Sequence, residues 1–253
     1  MVNKAVIPAA GIAKRFWPVT KIIPKELLPV VTTPSLHLVL KEAQDSGIQE
    51  IFLIISSQKI PFFEHLPDFF PQLKFHFVEQ REPLGLGHAV GLAEKGVGSD
   101  PFVILLPDVI YETQKTVTRQ LVEAHQKTGK SVNAAEKVPM EKVSLYGTYA
   151  LASSDGRYHL AKGVVEKPKP AEAPSDLVVS GRYLFTPAIF PILEKTPPGR
   201  GGEIQLADAM NILAKREELY AYEFEGKHFD IGNPKGYIEA NRYFGAKEYA
   251  DMD

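Results

Sequence analysis

Residues 8–30 read PAAGIAKRFWPVTKIIPKELLPV, and Lys14, Arg15, Lys21 and Lys25 put four cations on one short stretch. Pro18, Pro24 and Pro29 keep much of it from being a regular helix or strand. The apolar run KAVIPA at 4–9 precedes it, and Gly11 marks the turn. A strand that ends in a tight turn converges backbone N–H groups on an anion, and Lys or Arg adds charge-assisted hydrogen bonds. That chemistry suits phosphate. A strand-to-helix turn with solvated lysines uses the same residue types, and spacing does not separate the two. The stretch contains neither G-x-x-x-x-G-K-[ST] nor G-x-G-x-x-G, so it is not an ordinary P-loop or dinucleotide fingerprint.

Two carboxylates occupy comparable places. Asp108, in VILLPDVI, directly follows an apolar run, and Asp230, in HFDIGNP, follows an aromatic one and precedes a glycine turn. A carboxylate at the carboxyl end of a strand is well placed for Mg²⁺, which takes few carboxylates and completes its shell with phosphate oxygens and water. A helix N-cap or a turn aspartate is the alternative for each. The pair gains meaning only if folding brings the two together.

The elements that must position these residues alternate along the first half. EIFLIIS at 50–56, KFHFVE at 74–79 and FVILLP at 102–107 join KAVIPA as short apolar runs, with helical spacing at 35–46, 86–95 and 116–128 between them. Strands that are apolar throughout and separated by helices predict an α/β doubly wound, mainly parallel sheet covered on both faces, with ligands beyond the carboxyl ends of the strands. The second half reads differently. YGTYALA, KGVVEKP and VVSGRYLFTP predict strands with few helices between them, the proline-rich 166–174 an exposed loop, and 187–195, 204–215 and 234–247 helices. The expected layout is a single domain over 1–253, with a nucleotide-binding part at about 1–135 and a sugar- or substrate-facing part with the C-terminal helices at about 136–253.

Composition excludes several classes. A net charge of -2 gives no general attraction to nucleic acid or anionic lipid, so the cations of 14–25 are a local device. Zero cysteines exclude disulfides and thiolate metal sites. No signal peptide or membrane span is expected, and the reading is a soluble cytoplasmic protein.

Seven segments, PAAGIAKRFWPVTKIIPKELLPV, EQREPLGLGHAV, VILLPDVI, YGTYA, GVVEKPKPAEAPSDLVVSGRYLFTP, GGEIQLADA and YEFEGKHFDIGNPKGY, together resemble bacterial UTP–glucose-1-phosphate uridylyltransferases, also called UDP-glucose pyrophosphorylases. The likeness runs in motif order from about residue 4 to 244. It implies a Rossmann-like nucleotidyltransferase whose substrates are UTP and glucose 1-phosphate and whose cofactor is Mg²⁺. By motif position it assigns Ala9, Gly11, Arg15 and Lys25 to the nucleotide and its phosphates. Gln80 and Gly85 would read the base, and Asp108 and Asp230 would face the metal. Lys167 would hold the sugar phosphate. Glu166 and Glu203 would accept glucose hydroxyls, with backbone at Gly147 and Gly181 close to the ring. Trp17 and His88 are expected to be structural, and Lys21 and Arg81 solvated.

The sequence departs from the family pattern twice. The loop G-x-G-T-R-x-L-P becomes Gly11-Ile12-Ala13-Lys14-Arg15-Phe16-Trp17-Pro18, so Ala13 and Lys14 replace glycine and threonine. A positive φ at residue 13 would cost alanine about 1 kcal/mol. The second departure is a shortened 58–73, where Phe62, Phe63, Phe69 and Phe70 look exposed and either pack on the core or associate with another copy of the chain. Two rival functions remain at this level. One is the same transfer with dTTP or another sugar; the other is a non-catalytic nucleotide-sugar-binding regulator.

Overall fold

Val6, Phe52, Ile54, Phe102 and Ile104 enter one hydrophobic core, while their chain neighbours Ile7, Leu53, Val103 and Leu105 enter a second. Successive side chains of a strand point to opposite faces, so a strand whose residues are all apolar needs two cores to bury them. Each fully buried Ile or Leu contributes about 2 kcal/mol. The computed structural model describes residues 1–216 and 218–249.

Among the described residues nine strands form one sheet. They lie side by side as Lys74–Glu79, Glu50–Ile55, Lys4–Pro8, Phe102–Leu105, Leu177–Phe185, Ser131–Lys137, Leu219–Glu223, Tyr158–Glu166 and Gly147–Asp155. The first four are parallel, as expected. Beyond them, where the strands of the second half are added, the sheet is mixed. Leu177–Phe185 runs antiparallel to both of its neighbours, and Tyr158–Glu166 likewise. The cause at the far edge is local: Gly156, at φ 56°, closes a short turn that folds Gly147–Asp155 back onto Tyr158–Glu166. The strands Ser131–Lys137 and Leu219–Glu223 pair parallel between these elements.

Helices cover both faces. Val117–Thr128 starts at Thr116, whose side chain accepts from the Arg119 N–H, and stops at Gly129, which is left-handed. Pro234–Glu248 starts on Asn233, which accepts from the Gly236 N–H, with proline in its first turn. The 86–95 segment is two helices, Leu86–Gly91 and Glu94–Val97, not one. Among the described residues no helix is long and apolar enough to cross a membrane.

Residues 57–69 fold into short helical turns against the sheet. Phe63 is fully buried, and Phe62 and Phe70 pack half-buried on the core, so three of the four rings take the first of the two expected arrangements. Phe69 is the exposed one, at 63%.

One buried ion pair ties the layers together. Arg182, 1% exposed, donates from Nε and Nη2 to the Glu42 carboxylate at 3.1 and 2.8 Å. Glu42 also accepts from the backbone and hydroxyl of Thr118. Burial pushes the Glu42 carboxyl up, but Arg182 and the Thr118 bonds more than offset it and hold it below its ordinary 4.5. Its contribution to stability is therefore present above that ordinary value and lost as pH falls through the depressed one. Glu42→Gln leaves Arg182 buried without a counter-charge and lowers unfolding free energy by about 3 kcal/mol at pH 7. Denaturant titration checks this; equal stability of the two proteins at pH 7 would refute it.

Candidate active site

The carboxyl ends of the parallel strands carry the residues singled out in the sequence. Beyond Lys4–Pro8 the cationic stretch forms three short 3₁₀ turns, Lys14–Phe16, Val19–Lys21 and Lys25–Leu27. The buried Phe16 ring packs edge-on against Tyr237, which fixes the stretch to the last helix. Arg15 stands exposed at the rim, and Lys25 reaches inward to Asp108, Nζ to Oδ2 2.6 Å.

Ala13 is left-handed, φ 54° and ψ 50°. The backbone does require the conformation that glycine adopts freely, and alanine holds it under strain. The Ala13 carbonyl stays pinned by the Phe16 N–H and the Thr20 hydroxyl, at 3.0 and 2.9 Å. Ala13→Gly is expected to raise stability by about 1 kcal/mol, a shift in thermal midpoint of about 3 °C. A lower midpoint in the variant would contradict this.

Asp108 follows the Phe102–Leu105 strand, and its segment is strapped from behind. Arg182 donates from Nη1 to the Leu106 carbonyl at 3.0 Å and from Nη2 to the Val109 carbonyl at 2.9 Å, one on each side of Asp108. Burial opposes ionisation of the Asp108 carboxyl, yet Lys25 and, more weakly, Arg182 keep it below the usual carboxylate range. Burial likewise opposes the Lys25 ammonium, and Asp108, Glu26 and Asp230 raise it above its ordinary value.

Folding brings the second carboxylate to the first. Lys227–Asp230 pairs antiparallel with Val109–Glu112, and the Ile231 N–H donates to the Asp108 carbonyl at 2.9 Å. Gly232 and Asn233 donate to the Asp230 carboxylate at 2.9 and 3.0 Å and fix its direction. A Cβ on Gly232 would lie 2.7 Å from Asp108 Oδ2 and 3.1 Å from Asp230 Oδ1. Glycine here keeps open a space onto which both carboxylates converge. Two carboxylates around a gap beside a cationic loop match the donor set of Mg²⁺. Among the described residues no cluster of three or more His, Asp or Glu side chains offers a closed metal site.

Two cavities adjoin at Asp108. The first, about 330 Å³, is lined by Gly11, Lys25, Gln80, Gly85, Asp108 and Glu203. The second, about 320 Å³, includes Asp108, Gly147, Glu166, Lys167, Gly181 and Asp230. They open to a wider mouth where Arg15 meets Glu166, Lys167, Glu203 and Asp230. The residues expected at the nucleotide and those expected at the sugar phosphate thus form two groups, with Asp108 in both.

Two of the site expectations change in detail. Ala9 is buried under the loop, its N–H donating to Ile54 and its carbonyl accepting from Lys59, so that Ala10 rather than Ala9 lines the cavity. Glu203 faces the first cavity and the mouth but not the second, because the 84–87 segment is zipped to it: Gly87 N–H to Ile204 O, and Ile204 N–H to Leu84 O. Gly85, at φ 101°, permits that approach, since a Cβ would sit 2.8 Å from the Glu203 Cβ. Gly181 likewise admits Val109, whose side chain its Cβ would meet at 2.7 Å.

His88, expected to be structural, anchors the Gln80 side chain. Gln80 donates from Nε2 to His88 Nδ1 at 2.9 Å and to the Gly85 carbonyl at 3.3 Å. Both amide N–H bonds are engaged, which leaves the Gln80 side-chain oxygen as its remaining acceptor. Lys167 is left-handed at φ 47°, held by its N–H to the Tyr146 carbonyl, with Nζ 2.9 Å from Glu166. Lys21 is not simply solvated, since it lies 4.5 Å over the Trp17 ring.

The nucleotidyl transferase family model matches residues 4–247. A UTP–glucose-1-phosphate uridylyltransferase of Bacillus subtilis is 38% identical, over 98% of this chain and 92% of its own length. The chain belongs to the nucleotidyl transferase family and, within it, to the UTP–glucose-1-phosphate uridylyltransferases. A UDP-glucose pyrophosphorylase solved with UDP-glucose is 35% identical to this uridylyltransferase with a TM-score of 0.91, over 98% of this chain and 100% of that one. A UTP-bound UGPase from Acinetobacter baumannii gives 33% and 0.85, over 98% and 94%.

Proposed function

We infer that the chain transfers the uridylyl group of UTP to glucose 1-phosphate, giving UDP-glucose and pyrophosphate. The observation that supports this reading is the meeting of the two cavities at Asp108, which leaves room for a nucleotide phosphate and a sugar phosphate on either side of one carboxylate–lysine pair. A phosphate oxygen of glucose 1-phosphate attacks the α-phosphorus of UTP; the bond from that phosphorus to the oxygen bridging the β-phosphate breaks, and pyrophosphate leaves with the electron pair. A phosphate monoester is largely dianionic at neutral pH, its second pKa being about 6, so no protein nucleophile is required. The obstacle is the approach of two polyanions, which positioning and fixed positive charge overcome.

Lys25 and the loop N–H groups near Gly11 bind the triphosphate, and Arg15 at the mouth takes charge from the departing pyrophosphate. Lys167 holds the sugar phosphate, and Glu166 accepts a sugar hydroxyl. The Gln80 carbonyl accepts from the N3–H of uracil, a donor that cytosine lacks, and the Gly85 N–H donates to O4. Asp108 and Asp230 would hold Mg²⁺, which when bound neutralises phosphate oxygens and acts as a Lewis acid.

Two measurements test this. Phosphorus NMR of a mixture with UTP and glucose 1-phosphate should show UDP-glucose and pyrophosphate rising in equal amounts. Labelled pyrophosphate should not exchange into UTP without sugar phosphate or UDP-glucose; exchange from UTP alone would mean a covalent uridylyl-protein and overturn direct transfer.

A further inference from the structure

Lys59 lies in the shortened segment, in the turn Ser57–Lys59 that follows the Glu50–Ile55 strand. Its side chain is 12% exposed, and Nζ directs one N–H each to the Ala9 carbonyl at 2.6 Å, the Gly11 carbonyl at 2.8 Å and the Glu26 carboxylate at 2.9 Å. An ammonium has three donors, and all three are used. Glu26 is fully buried, and its other oxygen has no hydrogen-bond partner among the described residues, so Lys59 is its ion-pair partner, with the charge of Lys25 nearby.

The two carbonyls decide where the next N–H groups point. In a planar trans peptide the C=O of one residue and the N–H of the following residue point in opposite directions. The Ala9–Ala10 and Gly11–Ile12 bonds are both trans. Holding these carbonyls toward Lys59 therefore turns the N–H groups of Ala10 and Ile12 away from it. Among the described residues the N–H groups of Ala10, Gly11 and Ile12 donate to no acceptor. The first cavity, lined by Ala10, Gly11 and Lys25, includes neither Ile12 nor Lys59. Both of these line a smaller one, of about 150 Å³, that shares Ala10, Gly11 and Lys25.

We propose that Lys59 is a positioning residue for uridylyl transfer, a staple that holds the 9–11 turn and so orients the Ala10 N–H as a donor to the triphosphate. This rests on the assignment of the neighbouring cavity to UTP. Two lysines beside one loop then have separate work: Lys25 faces the cavity, and Lys59 shapes its rim from behind. The same staple holds the loop one turn before the left-handed Ala13, where glycine's freedom is missing.

Titration calorimetry with UTP, in the absence of sugar phosphate, tests the proposal on three variants. Lys59→Met combined with Glu26→Gln removes the staple without leaving a buried carboxylate unpaired, and should weaken UTP at least about tenfold while glucose 1-phosphate binding stays unchanged. Glu26→Gln alone retains an acceptor for Lys59 and both carbonyl bonds, and should bind UTP within about twofold of the unaltered protein. Lys59→Arg keeps the charge but cannot aim three N–H groups from a single atom, so it should also weaken UTP. It serves as the test if the double variant does not fold. Amide exchange at Ala10 should slow on UTP binding in the unaltered protein and in Glu26→Gln but not in the double variant or in Lys59→Arg. Full UTP affinity in the double variant or in Lys59→Arg would overturn the staple, and so would a loss in Glu26→Gln as large as that in the double variant. Unaltered protein that binds no UTP would overturn the functional reading and the triphosphate role with it.

Discussion

Asp108→Asn lowers turnover at least about 10³-fold while the thermal midpoint stays within a few degrees. Asparagine keeps the shape of the side chain and removes the charge that lies 2.6 Å from Lys25. The carboxylate lines both cavities, so its loss disturbs the charge balance on both phosphates at the point of reaction. Folding should tolerate the change because the segment is held by its backbone, through Arg182 to Leu106 and Val109 and through the Ile231 N–H to Asp108 itself. Steady-state kinetics with circular dichroism checks both halves. A rate within tenfold of the unaltered protein would show that the reacting phosphates lie elsewhere.

Lys167→Ala should reduce kcat/KM for glucose 1-phosphate by about 10³-fold and leave the KM for UTP within a few-fold. The asymmetry follows from position: Lys167 lines the second cavity and the mouth but not the cavity of Lys25 and Gln80. Its left-handed backbone, a strain of about 1 kcal/mol, is held by the Tyr146 carbonyl and aims the ammonium past Glu166. Alanine keeps that backbone strain but removes the cation. An equal rise in the KM of both substrates would mean that Lys167 supports the mouth as a whole and does not select the sugar phosphate.

What could be read in the sequence was local. Gly11 and Asp108 follow strands whose apolar runs announce themselves, Lys25 stands on the proline-interrupted stretch after the first of them, and the helix-strand alternation of residues 4–128 carries the parallel half of the sheet. The strand Ser131–Lys137, SVNAAEK, lacks such a run; Asn133 is buried within it, and the alanines give weak strand preference. Its place between Leu177–Phe185 and Leu219–Glu223 depends on partners far along the chain, which no local pattern encodes.

The supporting residues were hidden for the same reason. Lys59 looks like one more surface lysine until Ala9 and Gly11 are placed beside it. His88 gains its role only when Gln80 is turned toward it, and Arg182 looks like a strand residue until Glu42, 140 positions away, meets it. The φ of Ala13 was a question that the sequence could pose and only the backbone could answer.

Pyrophosphate release by the purified protein with Mg²⁺, measured across a grid of nucleoside triphosphates and sugar 1-phosphates, tests the central claim most directly. The account predicts the highest kcat/KM for UTP with glucose 1-phosphate, and with CTP a rate lower by at least about 10²-fold, because the Gln80 carbonyl and the Gly85 N–H face the wrong edge of cytosine. No turnover with any pair, or faster turnover with dTTP or with another sugar phosphate, would contradict it.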